Sequence, residues 1–138
     1  MKTILVVDDE VFVRRIVSFK LTARGYHVID AESGEAALEL ASSNRLDLVV
    51  TDHQMYGMTG VELAKQLFRD PLYASLPVLM ISAREFEIGK GQLQNTNVKS
   101  VVAKPFSMSS VLKQVEKLIG PGERIDPQIE ADLSGSVV

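Results

Sequence analysis

Short runs of consecutive apolar residues recur along the chain, and each stops at a polar residue. Ile4-Leu5-Val6-Val7 ends at Asp8, Asp9 and Glu10. Leu48-Val49-Val50, within the stretch Leu46 to Thr51, ends at Asp52. Val78-Leu79-Met80-Ile81 ends at Ser82-Ala83. Runs of this length without alternation fit strands buried on both faces. Tyr26 to Asp30 and Ser100 to Ala103 read as two further strands, the second followed by Lys104-Pro105-Phe106.

Between the strands the spacing becomes helical. Val13, Ile16, Val17 and Leu21 share one face, and Gly25 suits the residue after that helix. Ser33 can cap a helix through Ala37, Leu38 and Ala41. Thr59-Gly60-Val61-Glu62 has capping-box spacing before the face Val61, Ala64, Leu67 and Phe68. Ser107 can cap a last helix with the face Val111, Leu112, Val115, Leu118 and Ile119, ended by Gly120 and Pro121. From Arg84 to Asn97 the pattern is weak. Gly89 and Gly91 each cost about 1 kcal/mol relative to Ala in a helix, so a short, frayed or mobile helix is expected there.

Strands thus alternate with helices five times, which predicts an α/β fold: a doubly wound, five-stranded parallel sheet with helices on both faces. One domain is expected over residues 1–120. Residues 121–138 read as a C-terminal tail in which Asp126 and Pro127 can start a short helix bearing Ile129 and Leu133. The tail is too short for an output domain.

Composition narrows the function classes. A chain of 138 residues can bury roughly 70% of its unfolded surface. There is no cysteine, hence no disulfide framework and no thiolate metal site. The net charge of −3, without a basic block, gives no sign of direct nucleic-acid binding. No apolar stretch is long enough to span a bilayer and no signal segment is visible, so a cytoplasmic protein without membrane association is expected.

In a parallel sheet the carboxyl ends of all strands lie on one edge, where open α/β folds bind ligands. Asp8, Asp9, Asp52, Ser82 and Lys104 would meet there. Taken singly, Asp8 or Asp9 could cap the first helix, Ser82 the next one, and Lys104 could be a solvated loop residue. Together, three carboxylates repel unless a cation joins them, and a hard, partly hydrated ion such as Mg²⁺ suits oxygen ligands. Metal, ammonium and hydroxyl can neutralise the three oxygens of a phosphoryl group, and a carboxylate can be the nucleophile that accepts it. His53, beside Asp52, reads as a rim residue, Glu10 as a surface acid, and Tyr26 and His27 as strand packing.

The ordered set of Asp8-Asp9, Asp52-His53-Gln54-Met55-Tyr56-Gly57-Met58-Thr59-Gly60, Ser82-Ala83 and Lys104-Pro105-Phe106 resembles the receiver domain of bacterial two-component response regulators, over about residues 2 to 120. The resemblance implies a flavodoxin-like strand order 2-1-3-4-5. It implies Asp52 as phosphoryl acceptor, and Asp8, Asp9, Asp52 and the backbone carbonyl of Gln54 as ligands of Mg²⁺. Ser82 would be the switch hydroxyl, Lys104 the cation paired with the phosphoryl group, and Lys104-Pro105 a cis peptide. The implied donor is a phosphohistidine on a sensor histidine kinase or phosphotransfer protein, and the implied output is a changed affinity for a protein target. Self-dephosphorylation would make the chain a switch and not a turnover enzyme; Gln54 and Arg84 are the candidates for setting its rate.

Two positions depart from the family pattern. Tyr56 stands where proline is usual, and Val101 where an aromatic residue often swings inward on activation. Signalling is therefore expected to work through reordering across residues 84 to 104. The same departures motivate an alternative, a phosphorylation-independent adaptor on the same fold. An aspartyl phosphatase would need a second acid where Gln54 stands.

Overall fold

The computed structural model describes residues 1–83 and 88–123, with the backbone alone for Lys90. Five strands, β1 (Thr3–Val7), β2 (His27–Ala31), β3 (Leu48–Asp52), β4 (Val78–Ser82) and β5 (Val98–Ala103), form one sheet in the order β2-β1-β3-β4-β5. Every neighbouring pair is parallel. This is the expected fold class and strand order.

Four α-helices are described: α1 (Val11–Ala23), α2 (Gly34–Ser43), α3 (Gly60–Arg69) and α4 (Met108–Ile119). Side chains alternate across the pleat, so each apolar run serves two cores. Leu5, Val7, Val49, Val78 and Met80 pack with Ala37 and Ala41 of α2 and Leu63, Ala64 and Leu67 of α3. Ile4, Val6, Leu48, Val50, Leu79 and Ile81 pack with Val17 and Leu21 of α1 and Val111, Leu112 and Val115 of α4. β3 lies at the centre of the sheet and is buried at all five positions, which is why its sequence carries no alternation.

The caps follow the sequence closely. The hydroxyls of Ser33, Thr59 and Ser107 accept from the backbone N–H groups of Ala36, Glu62 and Ser110 at 3.0, 3.1 and 3.2 Å. The capping box at α3 is altered: Thr59 Oγ1 donates to Glu62 Oε1 at 3.2 Å. Neither Asp8 nor Asp9 caps α1; Glu10 occupies that position without a side-chain bond.

Several boundaries and faces differ from expectation. Leu46 and Asp47 precede β3, and Asp52 is its last residue. Phe68, expected on the buried face of α3, is 38% exposed, and Leu63 is buried instead. Phe68 shares the stripe of Ala64 and Leu67 but stands one residue before the end of α3, so its exposure marks where the buried stripe stops. His27 is exposed because β2 is an edge strand, whereas Tyr26 is buried. Between β4 and β5 the described residues hold one 3₁₀ turn, Lys90–Leu93, and no α-helix. Arg84 and the tail residues Ile129 and Leu133 lie outside the described residues.

After α4 the chain folds back on the turn between α1 and β2. The Tyr26 hydroxyl donates to Gly120 O at 2.7 Å, and Glu123 N donates to Gly25 O at 3.1 Å. Gly25 has φ +89°, and a Cβ there would stand 2.0 Å from the Glu123 carbonyl oxygen, so only glycine lets the two backbones meet.

Candidate functional site

Asp52 ends the central strand and is 4% exposed. The residue after it is fixed through both of its backbone polar groups. His53 N donates to Ile81 O at 2.8 Å, and His53 O accepts from Gly60 N at 3.0 Å. The N-terminus of α3 therefore rests directly on the end of β3. A Cβ on Gly60 would come within 2.5 Å of Asp52 O and 2.6 Å of Met80 Sδ.

Lys104 reaches Asp52 from beyond β5. Its Nζ lies 2.9 Å from Asp52 Oδ1, and its backbone N–H donates to Ser82 O at 2.8 Å. That second bond carries the β4–β5 ladder one residue further and fixes where the lysine stem starts. Ser82 is fully buried at the end of β4, and the Lys104-Pro105 peptide is cis.

The acid pair follows β1. Asp8 is buried and its Oδ1 accepts from Glu10 N at 2.8 Å. Asp9 is exposed, and its Oδ2 accepts from Tyr56 N at 2.9 Å. One carboxylate oxygen from each of Asp8, Asp9 and Asp52 can be chosen so that all three lie within 4.8 Å of one another. The sheet thus brings together Asp8, Asp9, Asp52, Ser82 and Lys104 at one edge. Gln54 is exposed on the loop after β3, and its Oε1 accepts from Ala83 N at 3.2 Å.

Burial sets the electrostatics. It raises the Asp8 carboxyl to about 6, opposed by the Glu10 N–H, with a further rise from the Asp52 charge. Asp52 is also raised, by burial first, although the Lys104 hydrogen bond and charge pull it down. Burial pulls Lys104 down, but the bond to Asp52 and the charges of Asp52, Asp8 and Glu10 more than offset it and the net shift is upward. Two buried acids, with the exposed Asp9 beside them, thus face one lysine. The donor set is all hard oxygen, which fits a divalent ion such as Mg²⁺ and relieves the repulsion.

Three contacts had no signature in the sequence. Arg14 Nη1 donates to Asp8 O at 2.9 Å while its Nε pairs with Asp30 Oδ2 at 3.2 Å, bracing the acid loop against β2. The Tyr56 N–H on Asp9 and the Gln54 side chain on Ala83 N–H are the others. All three join residues distant in sequence or use backbone groups, which no residue pattern encodes. Elsewhere, a cavity of about 570 Å³ at the opposite end of the sheet is lined by Lys2, Asp47, Lys99 and Leu118, among others, and holds no comparable cluster. Among the described residues no helix is long and apolar enough to cross a membrane.

A family model described as the response regulator receiver domain matches residues 4–116. The phosphate regulon transcriptional regulatory protein PhoB of Pseudomonas aeruginosa is 34% identical over 129 residues. That match takes in 91% of this chain and 56% of PhoB, so the chain spans little more than half of that relative. The chemotaxis protein CheY of the same organism is 34% identical over 116 residues, 83% of this chain and 94% of CheY. Among solved structures, CheY4 of Vibrio cholerae superposes with a TM-score of 0.81 at 30% identity, covering 86% of this chain and 98% of that one. TrrA of Thermotoga maritima, solved with Mg²⁺ and BeF, gives a TM-score of 0.77 at 30% identity over 86% of this chain and 99% of that one. TrrA has also been solved in complex with the histidine kinase ThkA, with a TM-score of 0.76 at the same identity and coverage.

Proposed function

The chain belongs to the response regulator receiver family, and from that we propose that it is a phosphorylation-dependent switch of a two-component system with Asp52 as its phosphoryl acceptor. One observation carries this reading: a buried carboxylate at the end of β3, ion-paired to Lys104 at 2.9 Å, with oxygens of Asp8 and Asp9 close beside it. The receiver domain is residues 1–120 in this reading, and 121–138 a tail.

In the proposed reaction an Asp52 carboxylate oxygen attacks the phosphorus of a phosphohistidine. A P–O bond forms, the P–N bond breaks, and the imidazole leaves with its electron pair and takes up a proton. Asp8, Asp9, Asp52 and the Gln54 carbonyl would hold Mg²⁺, which when bound supplies positive charge to the phosphoryl oxygens. Lys104 keeps the free carboxylate oriented and transfers its hydrogen bond to a phosphoryl oxygen. Ser82, at the end of β4, supplies the hydroxyl to another. Water attacking the phosphorus in line returns the carboxylate and inorganic phosphate. The chain is thus a switch in this scheme and not an enzyme with a separate substrate. The TrrA–ThkA complex supports a sensor histidine kinase as donor, with a phosphotransfer protein as the other source of phosphohistidine.

A second reading, a phosphorylation-independent adaptor, is favoured by Tyr56, 93% exposed at the rim, and by Val101, which cannot make an aromatic swing. Intact mass after incubation with Mg²⁺ and acetyl phosphate separates the two. One phosphoryl adduct that requires Mg²⁺ and is absent from Asp52→Ala supports the switch. No adduct from acetyl phosphate or from a phosphorylated histidine kinase would favour the adaptor.

A further inference from the structure

The three acids of the site are held in three different ways. Asp52 is buried and paired with Lys104. Asp8 is buried and accepts from Glu10 N. Asp9 stands in solvent, so packing does not fix its side chain. Its Oδ2 accepts from the backbone N–H of Tyr56, 47 residues away, at 2.9 Å.

We propose that the Tyr56 backbone N–H is a positioning group for the divalent-cation site, holding the Asp9 carboxylate so that its other oxygen can ligate. This rests on the reading of Asp8, Asp9 and Asp52 as ligands of Mg²⁺. An exposed aspartate must lose side-chain freedom to bind a metal, and a charge-assisted bond from a backbone donor removes part of that freedom beforehand. Partners that orient metal ligands in this way set affinity by about 10- to 100-fold. The tyrosine ring, 93% exposed, plays no part in the bond. What matters is that the residue has an N–H at all. A proline at this position, the family's usual residue, would have none to give. The bond also ties the loop after β1 to the loop after β3, so both walls of the site meet at Tyr56.

The test compares Tyr56→Pro with Tyr56→Ala. Both remove the ring and only the first removes the N–H. Mg²⁺ affinity of the unphosphorylated chain is measured by titration calorimetry. Weakening by about tenfold in Tyr56→Pro, with Tyr56→Ala within about twofold of native, is the expected result. Equal affinities for all three chains, or equal weakening in both variants, overturns the inference. A native chain that binds no Mg²⁺ removes the metal reading and the inference with it, whereas native binding with an unaffected proline variant removes the inference alone. If Tyr56→Pro does not fold, amide hydrogen exchange decides. A Tyr56 amide protected in the native chain and released by Asp9→Ala supports the bond; exchange at the free-peptide rate in the native chain overturns it.

Discussion

Lys104 Nζ lies 2.9 Å from Asp52 Oδ1, so the residue after β5 reaches past the end of β4 to the last residue of β3. The pair holds the buried Asp52 carboxylate, the proposed phosphoryl acceptor, in place. Lys104→Met leaves that buried acid without its cation. We expect a loss of about 2 kcal/mol at pH 8, smaller at pH 5 where Asp52 can take up a proton instead. Urea unfolding of both chains at the two pH values measures it; an equal loss at both would separate the cost from the Asp52 charge.

The raised Asp8 carboxyl sets a pH dependence for the metal-free protein. Its folded value is about 6, against 3.8 as the reference for an unperturbed aspartate. Between these the native state binds the proton more tightly than the unfolded chain. Stability from this group is therefore full below the lower value and is lost as pH rises through about 6. The loss is up to roughly 3 kcal/mol. Unfolding in EDTA between pH 4 and 7.5 should show the decline, and Asp8→Asn should flatten it.

Mg²⁺ should act in the opposite direction. The cation competes with the proton for Asp8, so it should raise the melting temperature more at pH 7.5 than at pH 5 and release protons on binding. At a hundredfold excess over its dissociation constant the gain is about 2.7 kcal/mol. EDTA should reverse it. Thermal scans with Ca²⁺ and Mg²⁺ side by side check whether the site is selective for the smaller ion.

Gly60→Ala should damage the site from behind. Its Cβ would press on the backbone oxygen of Asp52 at 2.5 Å, which cannot move without shifting Asp52 itself. Destabilisation of about 1–3 kcal/mol is expected from overpacking. Phosphoryl incorporation from acetyl phosphate should slow as well, in contrast to Gly89→Ala, where a Cβ meets nothing within 4 Å.

The fold was legible because its information is local. Ile4–Val7, Leu48–Val50 and Val78–Ile81 are apolar without alternation only because helices cover both faces of the sheet. Ser33, Thr59 and Ser107 are side-chain caps readable one helix at a time. The convergence of Asp8, Asp9, Asp52, Ser82 and Lys104 followed from parallel topology, since every strand end falls on one edge. What escaped was non-local or belonged to the backbone. The exposure of Phe68, one residue before the end of α3, has no counterpart in its helical spacing, and His27 could be assigned outward only by knowing that β2 is an edge. The Arg14 brace on Asp8 and the Tyr56 N–H on Asp9 join segments that sequence separates. The β4–β5 connection had already shown its weakness in Gly89 and Gly91, and its described part is a single 3₁₀ turn.

The return of the chain onto the α1–β2 turn has a mechanical consequence. Gly120 and Glu123 are bonded to Tyr26 and Gly25, at the end of the sheet away from Asp52, with the roughly 17 Å length of a five-residue strand between them. Residue 123 is thus an anchored tether point and not a free swivel.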